Sequence, residues 1–374
     1  MPELAQLRPP DSHAIVTTEI IEMGGAERST LALAQWLYHR GIPVHLVCYL
    51  DHVGIHRFAN HPLTVVQLRP KMDPMYKIGS LRRYLRAYGR ASVPLLSGYQ
   101  TALHAAAGGI RGFHTLMHDT PSLFSAAKAP SFSTRITRKL SDLITAHGLR
   151  SGGTTLVASE YLRGETRRVF GVDAVIARMG GLASPESFRP RAMMANRLRM
   201  LSVSRIEPNK RIDWILRALA DIEKSAAPLS ALVDWALDIT GKGSYLETAR
   251  KLTRSLGLDR RVRFHGFVSD EELQLLYDSA DLFLMPAVQG YGIPAIESLQ
   301  RGIPVLLHRD SGVSDILLDT PWATVFEGGE ETMRSALAFA IQSVRQGRQL
   351  GVPLPPIPTE EEWAEQVARA CEWV

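Results

Sequence analysis

Three short stretches of this 374-residue chain carry residue types suited to an anionic, phosphate-bearing ligand. In the stretch 286–305, Gln289, Gly290, Tyr291 and Gly292 form a turn after the apolar run 281–285, ahead of a helix expected from Pro294 to Gly302. A glycine turn between strand and helix brings bare backbone N–H groups to the positive end of the helix, which suits a diphosphate. Glu297 lies on the first turns of that helix. Phosphates repel a carboxylate, so its expected partner is a neutral hydroxyl pair such as a ribose diol. In the stretch 204–211, Arg205 and Lys210 bracket a turn ahead of another helix. Two cations and helix amides can converge there on a diphosphate, although alone the turn reads equally as a solvated basic loop. The third stretch is Met23-Gly24-Gly25-Ala26-Glu27-Arg28. Its paired glycines, Gly24 and Gly25, let backbone approach a ligand closely, or simply make a turn.

Two further features bear on chemistry. His118 closes an apolar run of strand length, where it could steer a substrate, move a proton or serve a structural role. Thr240-Gly241-Lys242-Gly243-Ser244 is another glycine turn, but Ala236 holds the place of the first glycine of a Walker A loop. Gly24-Gly25 likewise lacks the third glycine of a dinucleotide fingerprint. The sequence has no HExxH, cysteine cluster or Asp-x-Asp, so no metal ligands and no cofactor are expected.

The elements that must position these residues alternate along the chain. Strands are expected at 13–18, 44–50, 63–68, 93–96, 113–117 and 155–158, with helices after Gly25 and at 78–88, 101–107, 135–145 and 160–170. The stretch 180–196, with Pro185 and Pro190, interrupts the pattern and reads as a linker. A second series follows: strands at 200–204, 232–239, 262–265, 281–285, 304–307 and 324–326, with helices at 212–220, 245–256, 270–277, 294–302 and 333–344. Pro353, Pro355, Pro356 and Pro358 make a stiff connector to a last helix over 360–373, with Trp363, Val367 and Ala370 on one face. Such alternation predicts α/β architecture: two Rossmann-like, doubly wound domains facing each other across a cleft. The first spans 1–187, with the segment 359–374 packing back on it, and the second spans 188–352.

Bulk properties exclude several classes. Nearly half of the residues are apolar, no low-complexity tract occurs, and apolar runs are strand-sized rather than membrane-spanning. The N-terminus lacks the charged and apolar segments of a secretion signal. Cys48 and Cys371 have no CxxC spacing, which argues against disulfide or zinc scaffolding and favours the cytosol. Residues 1–187 carry 21 Lys and Arg against 13 Asp and Glu, whereas 188–374 carry 22 against 25. A basic first half suits an anionic partner such as a lipid phosphate or membrane face. Nucleic acid is not expected, because the arginines are not interleaved with aromatics. In the 78–88 helix, Ile78, Leu81, Leu85 and Tyr88 form one face, with Arg82, Arg83, Arg86 and Arg90 largely off it. That pattern fits either a sheet-covering helix with a solvated rim or peripheral contact with an anionic inner membrane face.

With these residues in order, the chain resembles the GT-B glycosyltransferases, specifically the retaining family 4 group. The stretch 289–305 is similar to that family's signature of two glutamates separated by seven residues and followed by a Gly-Ile-Pro-Val strand. Arg205 and Lys210 match its phosphate clamp, Gly24-Gly25-Ala26-Glu27 its N-terminal glycine loop, and His118 its cleft histidine. Gly241-x-Gly243 and Arg261-Val262-x-Phe264-x-Gly266 match lesser landmarks, and the likeness covers nearly the whole chain. The resemblance implies a metal-independent transfer of a sugar from a UDP-, GDP- or dTDP-sugar to a hydroxyl acceptor, retaining configuration. The acceptor would be a glycan, a lipid-linked saccharide or a small molecule. By the same resemblance Arg205 and Lys210 hold the donor diphosphate and Glu297 the ribose. Gly290, Tyr291 and Gly292 contact sugar or phosphate through backbone, and Gly24, Gly25 and His118 lie near the sugar.

Three positions depart from the pattern. Gln289 stands for the first glutamate, Arg211 for a glycine, and Ser314-Asp315 for Pro-Glu. A glutamine can hydrogen-bond a sugar hydroxyl but offers no full negative charge beside a cationic centre. A catalytically weak or inactive nucleotide-sugar-binding pseudo-enzyme acting with a partner is therefore the alternative. An NAD-dependent oxidoreductase fits the two domains but lacks the fingerprint. Acceptor choice is assigned to the loops 51–60, 70–77 and 120–133.

Overall fold

The computed structural model describes residues 12–71, 73–88, 92–119, 121, 132–181, 188–190, 192–193, 196–225 and 229–374. The chain divides into two compact units, Met1–Gly180 with Pro358–Val374, and Gly181–Ile357.

The first unit runs β1 (His13–Val16), α1 (Gly25–His39), β2 (Val44–Cys48), β3 (Thr64–Gln67), α2 (Pro74–Tyr88), β4 (Leu95–Ser97) and α3 (Tyr99–Ala107). It continues with β5 (His114–Met117), α4 (Phe132–Leu149), β6 (Thr155–Val157), α5 (Glu160–Phe170) and β7 (Val175–Ile176). Its sheet has the order β3-β2-β1-β4-β5-β6-β7, and every pairing is parallel. The two-residue β7 was invisible to hydrophobic periodicity, which needs about four residues to register. The helix expected from residue 78 begins earlier, at Pro74, a residue whose fixed φ and missing N–H suit a first helical position. Its Leu81, Tyr84 and Leu85 are buried. Arg82, Arg83 and Arg86 are exposed, while Arg90 lies outside the described residues.

The second unit holds β8 (Arg197–Val203), α6 (Ile212–Glu223), α7 (Leu229–Leu232), β9 (Asp234–Thr240), α8 (Leu246–Ser255) and β10 (Val262–Gly266). Then follow α9 (Asp270–Ser279), β11 (Leu282–Met285), α10 (Ile293–Gln300), β12 (Val305–His308), β13 (Ala323–Phe326) and α11 (Glu330–Arg345). Here the order is β10-β9-β8-β11-β12-β13, again all parallel. Every residue of β11 and β12 is buried, as central strands covered on both faces must be. In the edge strand β10, exposed Arg263 and His265 alternate with buried or half-buried positions instead. Leu198, Met200, Leu237, Ile239, Leu282, Leu284 and Leu306 supply the sheet side of the core, with Ile215, Leu219, Leu337 and Ile341 from α6 and α11 closing on it.

The chain closes with α12 (Glu360–Ala370), which belongs to the first unit and packs against α1. Its N-terminus is fixed by a reciprocal cap. Thr359 N–H donates to Glu362 Oε2 at 2.9 Å, and Glu362 N–H donates to Thr359 Oγ1 at 3.1 Å. Trp363 and Val367 are buried as the helical spacing requires, but Ala364 and Ala368 complete the inner face and Ala370 lies at its margin. Beyond it, the Trp373 ring stacks on His13 at 4.6 Å. A side chain at Gly180 would collide with the Thr359–Glu360 backbone, so the connector leaving the first unit and the one returning to it run in close contact. Among the described residues no helix is long and apolar enough to cross a membrane.

Candidate active site

A parallel sheet whose strand order reverses leaves a crevice at the carboxyl ends of the two strands flanking the reversal. In the second unit those strands are β8 and β11, which pair directly. The loop after β8 carries Arg205 and Lys210, and the loop after β11 carries Gln289, Gly290, Tyr291 and Gly292. The two loops touch. Lys210 Nζ donates to Gln289 Oε1 at 2.8 Å, and Arg211 donates to the Pro286 carbonyl at 3.1 Å. Gln289 Nε2 turns toward Met285 Sδ at 2.7 Å, which fixes the amide with its oxygen toward the lysine.

Each loop is held by neighbours that the linear pattern did not reveal. Ile206 N–H donates to the Lys242 carbonyl at 2.8 Å, and Tyr245 N–H donates back to the Ile206 carbonyl at 3.0 Å. Glu207 completes this latch, accepting from Ser244 N–H at 2.9 Å and Ser244 Oγ at 2.5 Å. These two hydrogen bonds are the main reason its carboxyl pKa is lowered. A Cβ at Gly241, where φ is +133°, would run into the Ser204 carbonyl, and one at Gly243 would run into that of Ile206. The Gly-x-Gly turn therefore lets the clamp loop lie directly on β9's exit.

On the other side, the short 3₁₀ turn Gly312–Ile316 after β12 secures the glycine loop. Gly312 N–H donates to the Gln289 carbonyl at 3.0 Å, and Val313 N–H and Ser311 Oγ donate to the Tyr291 carbonyl at 3.2 and 3.1 Å. Gly290 and Tyr291 are buried, and Ser314 donates to the Arg309 carbonyl. Gly292 has φ of +125°, and a side chain there would strike Met285 and come within 2.9 Å of Gln289 Nε2. Glycine is required at that point. It is also the residue that starts α10.

Glu297 sits on α10 with 8% of its surface exposed, and its Oε2 accepts from Tyr277 Oη at 2.9 Å. Arg301, one helical turn on, lies over the Tyr277 ring at 4.6 Å and donates to the Glu297 carbonyl at 2.9 Å. Arg211 occupies the left-handed region with φ of +56° and stacks on Trp214 at 4.2 Å. Its positive charge helps to lower the pKa of His308, although burial contributes more.

The remaining candidates belong to the first unit. His118 follows β5 directly, and its Nε2 hydrogen-bonds Ser97 Oγ at the end of β4, 2.8 Å away. Burial lowers its pKa against the opposing charge of Asp119, so the ring is neutral at pH 7. Gly24 caps α1, and its N–H is already taken by Glu27 Oε2 at 3.1 Å. Its φ of −89° is open to any residue, and Gly25 opens the helix itself. Also at the carboxyl edge of this sheet, Lys77 donates to Glu19 at 2.5 Å, and Tyr49 Oη shares a 2.8 Å hydrogen bond with His104 Nδ1. Most of the acceptor loop assigned to 120–133 lies outside the described residues.

Residues 184–343 match the family model of glycosyl transferases group 1. A GDP-mannose-dependent alpha-(1-6)-phosphatidylinositol monomannoside mannosyltransferase of Mycolicibacterium smegmatis is 29% identical over 213 residues, covering 52% of this chain and 54% of that protein. Its namesake from Mycobacterium tuberculosis is 26% identical over 294 residues, covering 73% of this chain and 71% of that protein. The alpha-monoglucosyldiacylglycerol synthase of Streptococcus pneumoniae is 28% identical over 143 residues, covering 38% and 31%. Among solved structures, Anabaena HepE in complex with UDP superposes with a TM-score of 0.72 at 14% identity, covering 97% of this chain and all of that one. The chain thus has the GT-B fold of these structures, and its residues 184–343 carry the region described by the glycosyl transferases group 1 model.

Proposed function

We propose that the protein transfers a sugar from a nucleotide diphosphate sugar to a hydroxyl acceptor, without a metal and with retention of configuration. The observation that carries this reading is the joining of the β8 and β11 loops at the reversal of strand order, through Lys210 on Gln289. A diphosphate bound there meets Arg205, Lys210 and the N-terminus of α10. As the sugar departs, charge develops on the leaving diphosphate, and Lys210, already held on Gln289, stabilises it together with the exposed Arg205. Glu297, buried beside Tyr277, receives the ribose hydroxyls. From the first unit, Gly24, Gly25 and neutral His118 serve the sugar and the acceptor. Relatives named for GDP-mannose, and a structural neighbour bound to UDP, support a UDP-, GDP- or dTDP-linked donor. Relatives named for phosphatidylinositol and diacylglycerol glycolipids support a lipid-linked acceptor.

The direct test is a thermal-shift panel of UDP-, GDP- and dTDP-sugars, followed by mass spectrometry of the consumed donor with candidate acceptors. A bound donor raises the unfolding midpoint by linkage. A panel with no shift and no consumption overturns the reading. Gln289 motivates the pseudo-enzyme alternative, in which donor binds, no sugar moves, and turnover appears only in Gln289→Glu.

A further inference from the structure

Helix α4 follows the β5 loop that carries His118, and it turns three large aliphatic side chains to solvent: Ile136 is 53% exposed, Leu140 57% and Leu143 68%. Their spacing of four and three residues puts them on one stripe of the helix, roughly 10 Å long at 1.5 Å per residue. The opposite face is already used, since Thr145, Ala146 and Leu149 are buried and α4 packs on α3. Exposed Arg135 and Lys139 run along one flank of the stripe. The helix's one acid, Asp142, is half-buried and accepts from Tyr99 Oη at 3.1 Å. Since α3 packs on both α4 and α2, these helices lie side by side, and α2 adds exposed Arg82, Arg83 and Arg86.

An aliphatic stripe edged by cations matches the boundary between acyl chains and anionic headgroups. Aliphatic tips enter the chains while Arg and Lys stems reach back to phosphates. We infer that α4 docks the protein on an anionic lipid surface through Ile136, Leu140 and Leu143, with Arg135 and Lys139 on lipid phosphates. The inference deepens the proposed use of a lipid-linked acceptor and rests on it. The start of α4 lies on the chain just after the carboxyl edge that bears His118, so docking would bring that edge to the headgroups.

The test is flotation of the full chain with phosphatidylcholine vesicles, with and without phosphatidylglycerol. Wild type is expected to float with the phosphatidylglycerol vesicles, and Leu140→Ser with Leu143→Ser to lose about tenfold in bound fraction. Arg135→Glu with Lys139→Glu should abolish the preference for phosphatidylglycerol. In Leu140→Trp, emission should shift to the blue on adding these vesicles. These positions are exposed, so circular dichroism of each variant should match wild type. Wild type that stays at the bottom, or serine variants that float equally well, would overturn the inference. So would self-association in sedimentation velocity that the serine changes remove while flotation is unaffected. The nucleotide-sugar thermal shift, run on the same proteins, separates this outcome from failure of the transferase reading itself.

Discussion

Lys210 and Gln289 are the pair on which the proposed chemistry turns, because one hydrogen bond aims the cation and ties two loops together. A charge-assisted bond from lysine to a bound diphosphate is worth about 1.5–3 kcal/mol, so Lys210→Ala should weaken nucleotide binding by roughly 10- to 150-fold. Titration calorimetry with UDP and GDP measures it. For Gln289 the expectation under the transferase reading is that wild type turns over and that Gln289→Glu changes the rate without creating it, checked by donor consumption. Arg211 tests backbone chemistry at the same place. A non-glycine residue in the left-handed region costs about 1–2 kcal/mol, which the Pro286 hydrogen bond and the Trp214 stack offset. Arg211→Gly should therefore be near neutral, whereas Arg211→Ala keeps the strain, loses both contacts and should destabilise by about 1–2 kcal/mol. Urea unfolding of the two variants decides it.

At the scale of elements, the proposed clamp depends on a loop and a glycine turn that share space. Gly241→Ala would force the Ser204 carbonyl away and push the Arg205–Lys210 loop off β9. We expect loss of donor binding together with a destabilisation of about 2–4 kcal/mol, read by thermal shift with and without nucleotide sugar. Within the first unit, His114 ties β5 to the turn before β6, its Nδ1 accepting from Thr154 N–H at 3.0 Å. Burial lowers its pKa below the ordinary 6.5, partly offset by Glu372 and a backbone bond to Cys371. The folded state therefore resists protonation there while the unfolded chain accepts it. Stability from this site is complete above about pH 6.5 and is lost as pH falls from there toward the depressed folded value. Thermal melts of wild type and His114→Asn between pH 8 and pH 5 should converge toward the acid end. A constant gap would contradict the assignment.

For the whole molecule, the returning helix is the feature with the largest structural consequence. Ending the chain at residue 357 removes the buried Trp363, Val367 and Trp373 from the first unit. At about 1.5–3 kcal/mol per large buried side chain, the loss is comparable with the whole stability of a domain, about 5–15 kcal/mol. Calorimetry of the truncated chain should show the first unit melting early or absent, with the second unit's transition retained.

Much of this was present in the residues alone, and the reasons separate cleanly. Helix and strand alternation, the glycine turns, the clamp cations and the signature helix are local patterns, since apolar period, capping and turn chemistry act over a few residues. The order of strands is not local. The crevice exists because β8 pairs with β11 across some eighty residues of chain, and no periodicity encodes that choice. Glu207 and Ser244 stand 37 residues apart, and nothing in either stretch announced the other. The exposed stripe of α4 was equally hidden, because a run of aliphatic residues at helical spacing reads as core until packing shows which face the sheet layer has already taken. Composition and spacing by themselves determined the class of fold and which loops carry the cations and glycines of the proposed phosphate grip. Tertiary structure alone decided which of those residues meet, what holds them there and which apolar face was left exposed, because contacts between distant segments are settled by packing the whole chain at once.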